Sequence, residues 1–298
     1  MKNKYELKLF IFWLFVCSLI LPFAAEAQTA KPKVELPHKV VNLKLNSKLM
    51  AREMPYRLIL PIDYQNSNEK TFYPVVYLLH GLTGHFDNWT DKTKLTEYAA
   101  KYNYIIVMPE GDNGWYTDSA TVSNDRYESY IIKELIPEIE KNYRAKAARE
   151  NRLIAGLSMG GYGAIKFGLK YSEMFALVGS FSGALGAALW TEKELGGNTF
   201  ISKSIMSVYG AAGSKTRREN EIFQIVRELP ADKIKSLPFI YLDCGTEDML
   251  YRSNRDFANL LLEKKIPHEF RELPGTHNWT FWDSQIQEFL ELSEKFIK

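Results

Sequence analysis

Along the chain the apolar positions change their period. Val41, Leu43 and Leu45 alternate with polar residues, as do Tyr56, Leu58 and Leu60. That two-residue period belongs to half-buried strands able to pair as antiparallel neighbours. From Tyr73 onward the alternation gives way to short, nearly continuous apolar runs at 75–79, 105–108, 153–155, 176–178 and 239–242, the pattern of central parallel strands buried on both faces. Between them, 95–102, 127–143, 162–171, 253–265 and 285–296 read as helices. In the second of these Ile131, Leu135 and Ile139 recur every four residues, and Pro137 is expected to kink or interrupt it.

Alternation of strand and helix predicts an α/β fold: a doubly wound, mostly parallel sheet with antiparallel strands at its N-terminal side. One interval breaks the rhythm. Between the strand ending near Phe181 and the one opening at Phe239 lie more than fifty residues with glycines at 183, 186, 196, 197, 210 and 213. This is too long for a simple crossover. It reads either as an added helical layer or as a cap over a substrate pocket.

The N-terminus has its own pattern. Lys2, Lys4 and Lys8 precede an apolar run from Leu9 to Phe23, and Ala25-Glu26-Ala27 follows, which is the anatomy of a secretory signal peptide over residues 1–27. The run is shorter than the roughly 20 residues of a spanning helix, so no stable membrane insertion is expected after removal. A lipoprotein reading would acylate Cys17, but bulky Val16 stands before it. A polar tether, 28–39, is expected to lead to one domain over 40–298, and the expected destination is secreted or periplasmic.

Composition adds mainly exclusions. With 46% hydrophobic and 25% charged residues the chain is that of an ordinary globular protein. Taking Lys2, Lys4, Lys8, Glu6 and Glu26 from 38 basic and 36 acidic side chains leaves 35 against 34. Such a balance offers no electrostatic footprint for nucleic acid, and none is expected as a partner. Cys244 would be the one cysteine left after cleavage, and its apolar surroundings mark it as a buried hydrophobe rather than a nucleophile.

Gly156-Leu157-Ser158-Met159-Gly160 fits G-x-S-x-G. A chain of this length shows the bare pattern by chance about one time in ten, so its placement carries the reading: an apolar strand runs into it and a helix leaves it. The sharp turn strains the serine backbone, and glycines two residues either side relieve the contacts with strand and helix. Ser182-Gly183 also follows a strand, but Ser180 stands where the first glycine is needed. A serine hydroxyl needs a base and the base needs an orienting carboxylate. In this fold the order is Ser, acid, His. His277 fits, following the strand 268–273 through Pro274-Gly275-Thr276; His268 lies inside that strand, and His38, His80 and His85 precede the serine. After the strand 239–242 come Asp243, Glu247 and Asp248. Asp248 is the expected acid and Glu247 its main competitor. Backbone N–H groups of Met159 and Leu82 are the expected oxyanion donors, with His80 structural at the strand end. Trp115 and Tyr116, after the strand 105–108, either line the substrate pocket or pack within their loop. No zinc-spaced His or Cys pair and no nucleotide-binding glycine motif occurs, so neither metal nor cofactor is expected.

Four segments together resemble the esterase D-like group of α/β-hydrolases: Tyr77-Leu78-Leu79-His80-Gly81-Leu82, Gly156 through Ala164, Leu242 through Asp248, and Gly275-Thr276-His277-Asn278-Trp279 with Trp282 beyond. That group includes S-formylglutathione hydrolases, feruloyl and acetylxylan esterases, and mycolyltransferases. The resemblance implies an α/β-hydrolase fold, a Ser158, Asp248, His277 triad, and esters of small or aromatic acyl groups as substrates. Export favours a carbohydrate ester over cytoplasmic thioester detoxification. Two alternatives keep the fold: an acyltransferase using the same triad, and a non-catalytic carbohydrate binder, against which the complete triad argues.

Overall fold

The computed structural model describes residues 39–297. The expected signal segment 1–27, Cys17 and the tether up to residue 38 lie outside the described residues. The alternating N-terminal segments form β1 (Lys39–Ser47) and β2 (Arg52–Leu60). They pair antiparallel, with Val41 opposite Leu58 and Leu43 opposite Tyr56. The apolar runs form β3 (Val75–Leu79), β4 (Ile105–Pro109), β5 (Arg152–Leu157), β6 (Leu177–Phe181) and β7 (Phe239–Gly245), and β8 (His268–Leu273) closes the sheet. The order is β1-β2-β4-β3-β5-β6-β7-β8. β2 meets β4 antiparallel, and every pairing from β4 to β8 is parallel. This is the doubly wound α/β-hydrolase sheet expected from the sequence.

Strand residues alternate between two cores. Val75, Tyr77 and Leu79 face one with Ile105, Val107 and Ile154, while Val76 and Leu78 face the other with Ile106, Met108 and Leu153. Burial on both sides is why these strands read as continuous apolar runs. The second core is closed by α1 (Asn88–Lys92), α2 (Leu95–Ala99) and the C-terminal helix through Trp89, Leu95, Phe281 and Phe289.

Across the sheet, α3 (Tyr127–Tyr130) runs into a π-helical turn, Ile131–Leu135, and then α4 (Ile136–Asn142). The α-helical run is thus interrupted just before Pro137, as expected, by one wide turn. The wide turn closes with the Ile136 N–H on the Ile131 carbonyl, and the proline falls in the first turn of α4, where no intrahelical donor is required.

After α5 (Met159–Lys170), the long interval carries α6 (Phe200–Tyr209), α7 (Lys215–Asn220) and α8 (Ile222–Glu228). Then come α9 (Tyr251–Glu263) and α10 (Trp279–Ser293). In the insertion α8 packs on α5 and α9 as an added layer, while Ala184, Trp190 and Ile201 line the pocket that contains Ser158.

Candidate active site

The strand order reverses around β3, and the loops leaving β3, β4, β5, β7 and β8 meet at the carboxyl edge of the sheet, where this architecture binds ligands. β5 delivers Ser158 on a turn with φ 52° and ψ −114°, a backbone region costly for a residue with a side chain. The turn is held by its own main chain: the Ser158 N–H donates to the Phe181 carbonyl at 2.9 Å, and the Ser158 carbonyl accepts from Ala184 N–H at 3.0 Å. The two glycines of the motif are dictated by space. A Cβ on Gly156 would lie 2.6 Å from the Gly160 backbone, and one on Gly160 would lie 2.5 Å from the Leu79 carbonyl oxygen.

His277 Nε2 stands 3.0 Å from Ser158 Oγ, and Nδ1 stands 2.8 Å from Asp248 Oδ2. With Nδ1–H donating to the carboxylate, the Nε2 lone pair faces the serine hydroxyl, the tautomer a general base requires. The other oxygen of Asp248 accepts the Leu250 N–H at 2.8 Å. Burial pushes the Asp248 carboxyl upward, but the hydrogen bonds from His277 and Leu250 outweigh it and hold it below the ordinary aspartate value. The Trp282 ring meets His277 edge-on at 4.9 Å and fixes the imidazole from the side.

The competing acids do other things. Glu247 is exposed and accepts the Gly275 N–H at 2.6 Å, while its own N–H donates to the Gly275 carbonyl at 3.0 Å. It clamps the turn that carries His277, a role that loop-charge reasoning misses. Asp243 is fully buried at the end of β7, and burial raises its carboxyl well above the ordinary range. Ser182 is buried with its N–H on the Asp243 carbonyl, away from any histidine contact. Burial pushes the Cys244 thiol up to about 12, which leaves it protonated and unreactive at neutral pH.

Leu82 lines the cavity, and its N–H donates to no protein acceptor among the described residues. Met159 opens α5, so its N–H has no acceptor within the helix. Both groups are available to an oxyanion. The loop bearing Leu82 rests on His80, which is 1% exposed. Its Nδ1 contacts the Gly81 carbonyl at 2.8 Å, and its Nε2 lies 2.9 Å from the Gly111 nitrogen and 3.1 Å from Glu110. His80 thus ties the β3 loop to the β4 loop.

Trp115 and Tyr116 separate. Trp115 lines the cavity beside Ser158, whereas Tyr116 does not. Tyr116 is fully buried, packs against Gly163 and donates its hydroxyl to the His80 carbonyl at 2.9 Å. The expectation that it touches substrate is therefore corrected. Both residues have left-handed backbones, φ 51° and 49°, and the fully buried Lys166 stabilises that bend by donating to the Tyr116 carbonyl at 2.6 Å and Thr117 Oγ1 at 2.7 Å.

The cavity above Ser158 and His277 measures about 490 Å³. Its walls include Trp115, Trp190, Trp279 and Trp282, with Ile201 and Met249 at the insertion and β7 sides. The insertion is docked there by Trp115 Nε1, which donates to Ser204 Oγ at 3.0 Å; within the insertion, Arg217 ties α7 to the segment carrying Trp190 by donating to the Ala188 and Trp190 carbonyls at 2.8 and 2.9 Å. A larger cavity of about 630 Å³ between the insertion and α9 contains neither Ser158 nor His277.

The family model described as Putative esterase matches residues 47–291. The chain belongs to this esterase family. An acetyl esterase of Caldicellulosiruptor saccharolyticus is 30% identical over 267 residues, covering 86% of this chain and 98% of that one. A solved ferulic acid esterase superposes with a TM-score of 0.75 at 28% identity, covering 87% of this chain and 99% of its own. A fluorophosphonate-binding serine hydrolase of Staphylococcus aureus superposes at 0.76 with 26% identity, covering 86% and 98%. As a member of this esterase family the chain is a serine esterase acting on carboxylic esters, the class expected from its sequence.

Proposed function

We propose that the protein is an exported serine esterase that removes small or aromatic acyl groups from carbohydrate or alcohol esters through an acyl-enzyme on Ser158. The observation that carries the reading is the hydrogen-bonded series Asp248, His277, Ser158 opening into a tryptophan-walled cavity beside two free backbone donors. In the acylation step Ser158 Oγ attacks the ester carbonyl carbon and His277 Nε2 takes its proton. The carbonyl oxygen becomes an oxyanion facing the Leu82 and Met159 N–H groups. His277 then gives the proton to the departing alcohol as the C–O bond breaks. Water repeats the sequence: it attacks the acyl carbon, passes a proton to His277, and releases the carboxylic acid and the serine. Asp248 keeps its negative charge throughout and stabilises the imidazolium.

Flat tryptophan faces suit an aromatic or short acyl chain and the apolar face of a sugar ring. The acetyl esterase and ferulic acid esterase named above support the same range. Export rests on the charged and apolar pattern of residues 1–27. The test is hydrolysis of 4-nitrophenyl acetate, butyrate and octanoate and of methyl ferulate, beside a Ser158→Ala control. Turnover of acetate or ferulate that vanishes in the variant is expected. Equal activity in both proteins would sink the assignment of Ser158, and a strong preference for octanoate would sink the substrate range.

A further inference from the structure

Among the residues lining the catalytic cavity, one side chain besides His277 carries a charge-bearing group: Lys92, the last residue of α1. No Asp or Glu side chain shares the lining. The Lys92 ammonium sits over the Trp279 ring, 5.4 Å from its centroid. Trp279 meets Trp282 edge-on at 5.3 Å, and Trp282 meets His277 at 4.9 Å. The cation is therefore held at the cavity mouth two ring contacts from the catalytic base. A lysine at a helix end is ordinary in itself. What sets Lys92 apart is that the acids on the neighbouring segments are engaged elsewhere: Asp91 pairs with Arg57 at 2.6 Å, and Asp283 accepts the Lys94 N–H at 2.7 Å and the Tyr98 hydroxyl at 3.0 Å. No ion pair is formed by Lys92 among the described residues.

We propose that Lys92 is a specificity determinant that selects esters bearing a carboxylate, by pairing with that carboxylate at the mouth of the Ser158 cavity. The proposal rests on the esterase reading and refines its substrate class. An apolar cavity with a single cation and no acid at its edge attracts an anionic group and repels a cationic one. Lys92 is exposed, and the tryptophan beneath its ammonium limits where it can travel. The carboxylate can belong to the acyl part, as in a dicarboxylic half-ester, or to the alcohol part, as in an acylated uronic acid.

The experiment compares kcat/KM for charged and neutral partners in wild type, Lys92→Met, Lys92→Arg and Lys92→Glu at low and high salt. One arm uses mono-4-nitrophenyl succinate against 4-nitrophenyl pentanoate; the other uses acetylated methyl glucuronoside against acetylated methyl glucoside, read as acetate release. Expected is a loss of about 5-fold for the carboxylate ester in Lys92→Met, carried mainly by KM, with a larger loss in Lys92→Glu and retention in Lys92→Arg. The neutral esters change less than about 2-fold, and the wild-type preference fades with rising salt. The arm that responds identifies which part of the substrate carries the charge. Equal charged-to-neutral ratios in wild type and Lys92→Met in both arms, with neutral esters still turned over, would overturn this proposal and leave the esterase reading intact. Failure of wild type to hydrolyse any ester would overturn both.

Discussion

Replacing Lys166 by methionine isolates the scaffold beneath the pocket from the chemistry above it. The lysine side chain is 0% exposed and its ammonium holds Glu128 at 2.9 Å, the Tyr116 carbonyl at 2.6 Å and Thr117 Oγ1 at 2.7 Å. Methionine matches the length but supplies no donor. Breaking a buried ion pair costs about 3–5 kcal/mol when the surviving charge is left alone. Here Glu128 keeps Lys170 at 2.6 Å and the Tyr171 hydroxyl at 2.7 Å, which moves the ion-pair loss to the lower end, about 3 kcal/mol. The Tyr116 carbonyl, buried and deprived of its donor, adds about 1–3 kcal/mol. Urea unfolding should therefore show a loss of roughly 4–6 kcal/mol, and a thermal scan a fall of roughly 10 °C for a domain of this size. Because the same ammonium props the Trp115–Thr117 bend, turnover of an aromatic ester should fall more than turnover of an acetate. The double variant Lys166→Met with Glu128→Leu should recover little of the stability, since it removes the half-paired carboxylate but takes the partner from Lys170 and the Tyr171 hydroxyl and leaves the Tyr116 carbonyl without its donor. A loss of less than about 1 kcal/mol in the single variant would show that the buried Lys166–Glu128 pair contributes no more than a surface one.

Two further outcomes follow from the electrostatics. Asp248→Asn presents an amide where His277 Nδ1–H needs an acceptor, favours the wrong imidazole tautomer, and should lower kcat on the order of 10³- to 10⁴-fold with an unchanged circular dichroism spectrum; a loss under about 10-fold would remove Asp248 from the triad. Glu110 and Glu128 are each held at about 2 against an ordinary 4.5: burial raises both, but His80 and the Asp112 N–H overcome it at Glu110, and Lys166 and Lys170 at Glu128. The unfolded chain takes up these protons at higher pH than the native one, so the stability they contribute is full above about 4.5 and lost as pH falls through about 2. In urea unfolding, the gap between wild type and Glu110→Gln should narrow from about pH 5 to about pH 3, and a constant gap would contradict the assignment.

The central strands were legible because both faces of β3 to β7 are buried, which writes itself as unbroken apolar runs. Element ends were less so. α10 starts at Trp279, six residues before the expected 285, because Asn278 caps it by accepting the Phe281 N–H at 3.0 Å and because Phe281 and Trp282 are buried against the sheet. Packing there outweighs the modest helix propensity of aromatic residues. The adjacent Glu247 and Asp248 differ only in which way a tight turn aims them, and no periodicity encodes that. The same holds for Trp115 and Tyr116, whose left-handed backbones send one ring to the cavity and the other to the core. Lys92, Trp190 and Ile201 come to the cavity from segments with no motif of their own.

The most direct measurement is to mix the protein with excess 4-nitrophenyl acetate, quench within the first turnover and locate the acetyl group by peptide mass spectrometry. Expected are a burst of nitrophenol equal to the enzyme present, one acetyl group on the peptide containing Ser158, and neither in Ser158→Ala. An acetyl group on another residue, or full turnover by Ser158→Ala, would contradict it.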